Sequence, residues 1–359
     1  MKICFYNFNL GPGNPTLQSL FGGMYRSFWN AFERRNIEIF ATDDYNRLEG
    51  DILVVFLGGN QERGASLAMK NFPGPVAVTV PPASCWFYKS FLLRWRHKII
   101  FAFGTDSSRF SAGKYASIKI PYYHLAFASD PEIFKPVPLP KLYDIVFVAT
   151  FNSGEGRYEY IEKLVKTALQ KKWNLQLVGK GWDKLGYPFQ IIAHGPLLNY
   201  VYQSAKICIN LHNTIQYSGN DIQMDANNRL FDLAMAGCFQ VNNGEQLVRV
   251  YYSDDEVPAA DDADNWIELV DYYLAHESER MAMAEKARSR SLKEHTWDYR
   301  VDQFIRMIQN HKEGYSGIPS RFYHSLLHLY DFYFMPVYLF KHIRVIRRIR
   351  EWFGYRIRR

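Results

Sequence analysis

The sequence predicts an α/β protein of two parallel-sheet domains, followed by a basic and aromatic tail. Its 359 residues exceed the size at which one hydrophobic core usually stops growing. Short apolar runs alternate with amphipathic stretches of helical period, a pattern typical of strands in a mainly parallel sheet and their connecting helices. Three alternate prolines, at positions 136, 138 and 140, interrupt this alternation before it restarts. We therefore predict two Rossmann-like domains with a hinge and a cleft between them.

The first domain is predicted to span residues 1–138. Its short apolar runs predict buried strands at residues 2–8, 37–41, 52–57, 76–80 and 99–103. The clearest helical pattern, at residues 16–35, lies between the first two runs.

The second domain is predicted to span residues 141–312, where the alternation restarts. Strand-like runs occupy residues 143–149, 174–178, 190–193 and 207–211. Helical patterns occupy residues 158–171, 197–204 and 227–236, and a long helical region covers residues 265–310. The two halves share no internal sequence repeat, so we expect them to be alike in shape only.

The tail, at residues 318–359, accounts for the positive charge of the chain. The last nineteen residues contain eight Lys and Arg against Glu351 alone, whereas residues 1–340 sum to zero. Apolar side chains recur there every three or four residues, which predicts a helix with one apolar and one cationic face. Such a helix suits the headgroup region of an anionic membrane. The side chains expected to contact the membrane are Arg344, Arg347, Arg348, Trp352 and Phe353.

Two other roles for the tail remain open. Its apolar face would also fit the body of the protein or another subunit. Basic residues interleaved with aromatic ones also suit RNA, but the neutral charge of the remaining chain argues against nucleic acid.

The four cysteines and the N-terminus favour a cytoplasmic location. The cysteines lie far apart and form no CxxC pair, which indicates a reducing compartment. The N-terminus reads as a first strand rather than a signal peptide, and no eighteen consecutive residues are apolar. With the tail, this predicts a peripheral protein on the inner face of the cell membrane.

Ligand-binding loops are expected where the strands end. In open parallel sheets, ligands bind beyond the carboxyl ends of the strands, where helix N-termini attract phosphate. Lys180 lies between two glycines directly after a strand, so its ammonium group could reach a diphosphate; a surface lysine in a tight turn is the alternative. The loops of the second domain nominate Asn152, Ser153, Gly154, Lys180, His194, Gly195, His212 and Asn213.

The helical segment at residues 227–236 begins with polar side chains, among them Asn228. Arg229 can form a bidentate contact with a phosphate or carboxylate. Asp232 lies three residues on, on nearly the same helical face, and could accept hydrogen bonds from the two hydroxyls of a ribose. Alternatively, Arg229 and Asp232 pair with each other on a helix surface.

Three stretches together resemble a known family. They are His194-Gly195-Pro196, Ile207 to Asn213, and Asn228-Arg229-Leu230-Phe231-Asp232 with Ala236-Gly237-Cys238. They are similar to the C-terminal domain of group-1, spore-maturation-type glycosyltransferases of the GT-B fold, over roughly residues 143–304. The resemblance implies that this domain binds a nucleotide sugar, with Asp232 where the family usually has a ribose-binding Glu. Met224 stands where related enzymes often carry a second Glu, so Asp225 or Asp221 would have to substitute.

The resemblance implies transfer of a sugar from a nucleotide diphosphate to an acceptor hydroxyl, with no cofactor and no metal. Lys180, Arg229 and helix N-termini would then supply the positive charge that the leaving phosphate needs. Asp262-Ala263-Asp264 looks like a metal-binding motif of another glycosyltransferase fold, but its position before a helical run predicts a helix N-terminus.

The first domain is expected to bind the acceptor and, for an inverting reaction, to supply the catalytic base. Asp106, at a strand end, is the first candidate, although a capping Asp would look the same; Glu62 and His124 are the others. The loop after the first strand, with Gly11, Gly13 and Asn14, is expected near the acceptor or the sugar. It lacks the GxGxxG spacing of a dinucleotide site.

Two functions compete at this point. The first is a glycosyltransferase acting on a glycan or lipid-linked glycan in the assembly of a bacterial surface polysaccharide such as lipopolysaccharide. The second is a catalytically silent nucleotide- or glycan-binding scaffold at the membrane surface. An isomerase of the nucleotide sugar is a further possibility on the same fold.

Overall fold

A computed structural model describes residues 1–8, 22–57, 62–79, 88–151, 157–186, 196–213, 216–218, 221–222, 224–312 and 315. Within this part of the chain, no helix is long and apolar enough to cross a membrane.

The first domain is built on a six-stranded parallel sheet with the strand order β2-β1-β3-β4-β5-β6. Three central strands are almost wholly buried because helices cover both faces of the sheet, which explains their continuous apolar sequences. The strands are β1 (Lys2–Tyr6), β2 (Glu38–Thr42), β3 (Ile52–Phe56), β4 (Val76–Thr79), β5 (Ile99–Gly104) and β6 (Tyr122–His124).

The helices of this domain divide between the two faces of the sheet. They are α1 (Gly22–Arg34), α2 (Glu62–Asn71), α3 (Lys89–Trp95) and α4 (Arg109–Ser117). Successive right-handed crossovers from β3 to β6 place α2, α3 and α4 on one face, where they share an apolar core. The crossover from β1 to β2 runs in the opposite direction, so α1 covers the other face.

The second domain has a four-stranded parallel sheet with the strand order β12-β9-β7-β8. Its strands are β7 (Tyr143–Val148), β8 (Leu175–Val178), β9 (Ala205–Asn210) and β12 (Gln240–Asn242), and β10 (Gln216–Ser218) pairs with β11 (Asp221–Ile222) outside the sheet. Its helices are α5 (Tyr158–Lys171), α6 (Pro196–Gln203), α7 (Asn228–Met235), α8 (Glu245–Val248), α9 (Ala263–Ala275) and α10 (Glu277–Glu294). The predicted strand at residues 190–193 lies outside the described residues.

The last described helix, α11 (Trp297–Lys312), returns to the first domain. Its apolar face, which includes Val301 and Phe304, joins the core beneath α1. At the edge of this contact, Arg35, directly after α1, pairs with Asp298 at 2.6 Å and with Asp302 at 2.5 Å. This differs from the prediction that the second domain continues to residue 312. The helical pattern was visible in the sequence, but the sheet that it covers was not.

The position of α11 gives a stability prediction. Phe304 is fully buried among aromatic rings of the first domain, so Phe304→Ala should lower the free energy of unfolding by about 3–5 kcal/mol. Arg306→Ala, at an exposed site on the same helix, should change it by less than about 0.5 kcal/mol. Urea unfolding would measure both values, and similar losses for the two variants would contradict this placement of α11.

Candidate active site

The two domains meet at the carboxyl end of β5. The Met224 backbone amide, shortly before α7, donates a 3.0 Å hydrogen bond to the Asp106 carboxylate. The Ser107 amide donates to the Met224 carbonyl oxygen, also at 3.0 Å. A loop from the carboxyl edge of the first sheet thus lies against the segment that leads into α7 of the second domain. This is the arrangement expected for a site between two such domains.

Asp106, the first candidate base, is 1 % exposed and fully engaged. Besides the Met224 amide, its carboxylate accepts hydrogen bonds from the Ser108 amide at 3.0 Å, the Ser108 hydroxyl at 2.9 Å and the Ser111 hydroxyl at 2.6 Å. These donors belong to the first turn of α4, so the carboxylate stabilises the start of this helix. The N-cap of α4 is Ser108, not Asp106, so the structure gives Asp106 a different structural role, as the acceptor that holds Ser108 and Ser111 in place.

The other two candidate bases have different positions. His124 ends β6, and its Nε2 lies 2.9 Å from the Tyr251 hydroxyl of the second domain. Burial, with the nearby charge of Arg300, lowers the pKa of His124 to about 4, so the ring is neutral at physiological pH. It serves as an interdomain contact. Glu62 is the first residue of α2, at the carboxyl end of β3, and its side chain lies outside the described part of the protein.

His212 lies at the centre of a buried polar network behind the carboxyl end of β9. The Asn227 amide donates to its Nδ1 at 3.3 Å, so the ring proton resides on Nε2, which faces the Asn242 amide oxygen at 3.2 Å. The Asn243 side chain bonds both backbone groups of His212. Burial lowers the pKa of His212 to about 3. A neutral His212 thus fixes the start of α7 to the loops after β9 and β12.

Arg229 belongs to the same network. Its Nη1 donates to the Asn210 amide oxygen at 3.2 Å, and Asn210 donates in turn to the Asn242 side chain at 2.7 Å. The guanidinium carbon lies 5.9 Å from the centre of the Phe147 ring, on the neighbouring strand. This differs from the expectation that Arg229 reaches a phosphate in the cleft, because the guanidinium group is directed onto the strands of its own sheet.

Asp232 is 5 % exposed and joins the two domains by another contact. It accepts hydrogen bonds from the Ser129 hydroxyl at 2.7 Å and from the Asn228 side-chain amide at 2.5 Å. Both Arg229 and Asp232 are described, and they form no ion pair with each other, contrary to the alternative interpretation of their spacing. A ribose could reach the carboxylate only after Ser129 or Asn228 releases it.

Lys180 is exposed and is presented by a constrained turn. Gly179 has φ +134°, and a Cβ atom there would lie 2.0 Å from the Ala149 carbonyl oxygen, so no other residue fits. The Phe151 amide donates to the Lys180 carbonyl oxygen at 2.8 Å. The turn after β8 is thereby fixed against the end of β7. The Lys180 ammonium group extends from this turn into solvent. This exposure is compatible both with a phosphate contact and with a plain surface lysine.

The remaining predicted site residues divide into two groups. Asn213 is exposed directly after His212, and Asn228 has a buried side-chain oxygen without a hydrogen-bond partner among the described residues. The following predicted residues lie outside the described part of the chain: Gly11, Gly13, Asn14, Asn152, Ser153, Gly154, His194, Gly195, Arg344, Arg347, Arg348, Trp352 and Phe353.

Sequence reasoning missed Arg157, which directly precedes α5 after the β7 loop. Its charge is close enough to His212 to help lower the pKa of that ring. A basic residue just before the helix that follows the first strand of the second domain was the available signal. Asn242 and Asn243 were also missed, although an Asn pair at a strand end is visible in the sequence.

Asp262 has the structural role that the sequence predicted. Its carboxylate accepts a 2.7 Å hydrogen bond from the Asn265 amide and caps α9. Asp264 pairs with Lys163 of α5. Within the described ranges, no three His, Cys, Asp or Glu side chains are grouped so that they could hold a metal ion.

The burial of Asp232 predicts a pH-dependent stability. Burial raises the pKa of Asp232 from 3.8 to about 7. The folded protein therefore keeps this proton at pH values where the unfolded chain has lost it, and the free energy of unfolding falls as the pH rises towards 7. Asp232→Asn removes this loss and should be more stable than the wild type at pH 8.5, by about 4 kcal/mol at most, with a smaller difference at pH 5. Urea unfolding across this range measures it.

Asp183→Asn is the control for this experiment because Asp183 is exposed on a turn of the same domain. It should leave the dependence of stability on pH unchanged. If the profiles of Asp232→Asn and the wild type run parallel, the carboxylate is not held in the buried environment described above.

Comparisons with known proteins agree with this architecture. Residues 157–306 match the family model described as Glycosyl transferase-like. No curated protein is significantly similar in sequence. Sucrose-phosphate synthase from Thermosynechococcus elongatus is 12 % identical, with a TM-score of 0.57, over 86 % of this chain and 98 % of that one.

Two further solved structures share the fold. A glycosyltransferase from Rickettsia africae is 12 % identical, with a TM-score of 0.56, over 86 % of this chain and 98 % of that one. HepE from Anabaena, in complex with UDP-glucose, is 10 % identical, with a TM-score of 0.52, over 86 % of this chain and all of that one. With two parallel-sheet domains the chain shares the GT-B fold of these structures, and residues 157–306 of its second domain are similar to the glycosyl transferase-like family.

Proposed function

We propose that the protein transfers a sugar from a nucleotide diphosphate sugar to an acceptor hydroxyl. The observation that carries this proposal is the meeting of the Asp106 loop of the first domain with the Met224 segment of the glycosyl transferase-like domain. The carboxyl ends of both sheets converge there, so a donor held by one domain would face an acceptor held by the other. The UDP-glucose bound to HepE supports a nucleotide sugar as the donor.

Lys180 and Arg157 are the proposed contacts for the diphosphate. They follow β8 and β7, two neighbouring strands whose carboxyl ends lie side by side. Fixed cations at such a position stabilise the charge that develops on the leaving phosphate. Arg229, committed to Asn210, would support the floor of this site without touching the phosphate.

Asp232 is the proposed contact for the ribose. In the structure it accepts a hydrogen bond from the Ser129 hydroxyl, which is the same kind of donor that a ribose would offer. Exchanging one hydroxyl for the other keeps the hydrogen-bond count of the carboxylate unchanged, so the exchange costs little. It requires the segment around Ser129 to separate slightly from α7, which couples donor binding to a small movement between the domains.

For an inverting reaction, Glu62 is the base that we propose. Asp106 and His124 are engaged in structural and interdomain contacts, whereas Glu62 begins α2 at the carboxyl end of β3, on the side of the proposed acceptor. The engagement of the other two candidates also favours the second hypothesis, a catalytically silent nucleotide- or glycan-binding scaffold.

A glycan or lipid-linked glycan is the proposed acceptor, in the assembly of a bacterial surface polysaccharide. The basic, aromatic tail supports this role because it would hold the protein at the inner face of the membrane, where lipid-linked acceptors are located.

Turnover of nucleotide sugars tests the donor site. The wild type should release free nucleotide from one member of a panel of nucleotide diphosphate sugars. Lys180→Ala should lower kcat/KM about ten- to a hundredfold, because a hydrogen bond to a charged group is lost. Lys184→Ala is the matched control, since Lys184 is exposed one turn further on, and it should change kcat/KM by less than about twofold.

Binding of a nucleotide sugar without release of nucleotide would support the scaffold instead. Change of the sugar without any acceptor would support an isomerase. Equal losses in the two lysine variants would remove Lys180 from the site.

Charge reversal tests the tail. Arg347→Glu with Arg348→Glu, in the full chain, should weaken binding to vesicles that contain phosphatidylglycerol by about twentyfold or more, because each basic residue near an anionic surface contributes about 1 kcal/mol. Vesicle co-sedimentation measures this, and unchanged binding would favour a tail that contacts the protein body or another subunit.

A further inference from the structure

The neutral sum of residues 1–340 conceals a basic region in the first domain. Between Arg63 and Ser129 the sequence contains nine Lys and Arg but only one acidic residue, Asp106. Asp106 is buried and accepts hydrogen bonds from four donors, so it contributes little negative charge to the surface. Lys98 is also buried, where it donates to the Met69 and Phe72 carbonyl oxygens at the end of α2. The other cations of this region face solvent fully or in part.

These cations concentrate around α3, α4 and the residues that lead into β6. Lys89 begins α3, Arg109 begins α4, and Lys114 and Lys119 follow; all four are exposed. Among the described residues, these four cations form no ion pair, whereas many of the basic residues on other surfaces do. The acidic loops beside β1 and β2 lie at the opposite edge of the sheet. We call this surface, formed by α3, α4 and residues 119–122, the α4 face.

The α4 face also carries apolar surface. A groove of about 420 Å³ between α4 and the start of β6 is lined by Ala112, Ala116, Lys119, Ile120, Pro121 and Tyr122. Beside it, the Lys114 ammonium lies 4.8 Å from the centre of the Phe110 ring. Cationic and apolar groups are therefore interspersed on the same surface, which is the composition that favours the boundary between lipid headgroups and acyl chains.

Nucleic acid fits the α4 face less well. Binding of single strands depends on aromatic rings that stack on bases. The aromatic ring of the groove, Tyr122, is stacked on Tyr115 at 4.8 Å, and its hydroxyl donates to the Asp106 carbonyl oxygen at 2.7 Å. This ring is held inside the domain, so the groove offers small apolar groups rather than a stacking platform.

We propose that the α4 face is a membrane-contact surface, which binds anionic phospholipid bilayers through Lys114, Lys119 and their basic neighbours. The groove would receive apolar lipid atoms, while the cations lie at the level of the phosphates. Arg109 is three residues from Asp106, so this contact would bring the first-domain side of the cleft close to the bilayer. The surface is independent of the tail and of any catalytic activity.

The test compares two charge reversals of equal size in the full chain. Lys114→Glu with Lys119→Glu changes the α4 face, whereas Lys166→Glu with Lys184→Glu makes the same change on exposed sites of the second domain. Partition onto vesicles of phosphatidylglycerol and phosphatidylcholine is measured by co-sedimentation at low salt. The first pair should lose at least about tenfold in the partition coefficient. The second pair should lose about threefold or less.

Further arms make each outcome informative. Lys114→Gln with Lys119→Gln should give an intermediate loss, and thermal unfolding should show that all variants fold. Equal losses for the two reversed pairs would mean that only net charge matters, and would overturn the proposal. So would a loss of binding to RNA or heparin in the α4 variant with unchanged vesicle binding. Release of nucleotide from a soluble nucleotide sugar should be the same in all variants, so failure here leaves the proposed activity untouched.

Discussion

The buried carboxylate of Asp106 is the constraint on which the interdomain geometry depends. A carboxylate that is almost inaccessible to water is costly unless hydrogen bonds replace its hydration. Three donors come from the first turn of α4 and the fourth is the Met224 amide of the other domain. Because these hydrogen bonds come from both domains, separation of the domains at this point would deprive the buried Asp106 carboxylate of one of them. The start of α4 and the approach to α7 are thereby held together.

The polar network of the second domain has a different basis. A neutral His212 accepts from one loop and donates to another, and side-chain amides extend the chain of donors from Arg229 through Asn210 to Asn242. Such networks are stable only when nearly every member is satisfied. The Asn228 side-chain oxygen, beside Asp232, is buried without a hydrogen-bond partner among the described residues. The unsatisfied group is thus located where the proposed exchange between Ser129 and a ribose would take place.

The fold followed from the sequence to a large extent because parallel strands buried on both faces are continuous apolar runs. Strands β3, β4 and β5 are such runs, and their positions were predicted to within one residue. The destination of α11 was not predictable, because Val301 and Phe304 show that one face is apolar but not which sheet it covers. The candidate site was harder to predict from the sequence than the fold. Helical spacing places Arg229 and Asp232 on one face, but their partners, Asn210 and Ser129, are distant in sequence.

The net charge of a long segment likewise does not show how the charges are distributed over the folded surface. The net charge of zero over residues 1–340 gave no indication that this part of the chain binds anionic surfaces. In the structure, many acidic residues are paired with basic residues on α1, β1 and α10, apart from the cations of the α4 face. If the tail and the α4 face both contact a bilayer, the second contact forms at the high effective concentration set by the first. Two weak surfaces would then hold the protein more firmly than either alone, and two separate contacts would fix its orientation on the bilayer.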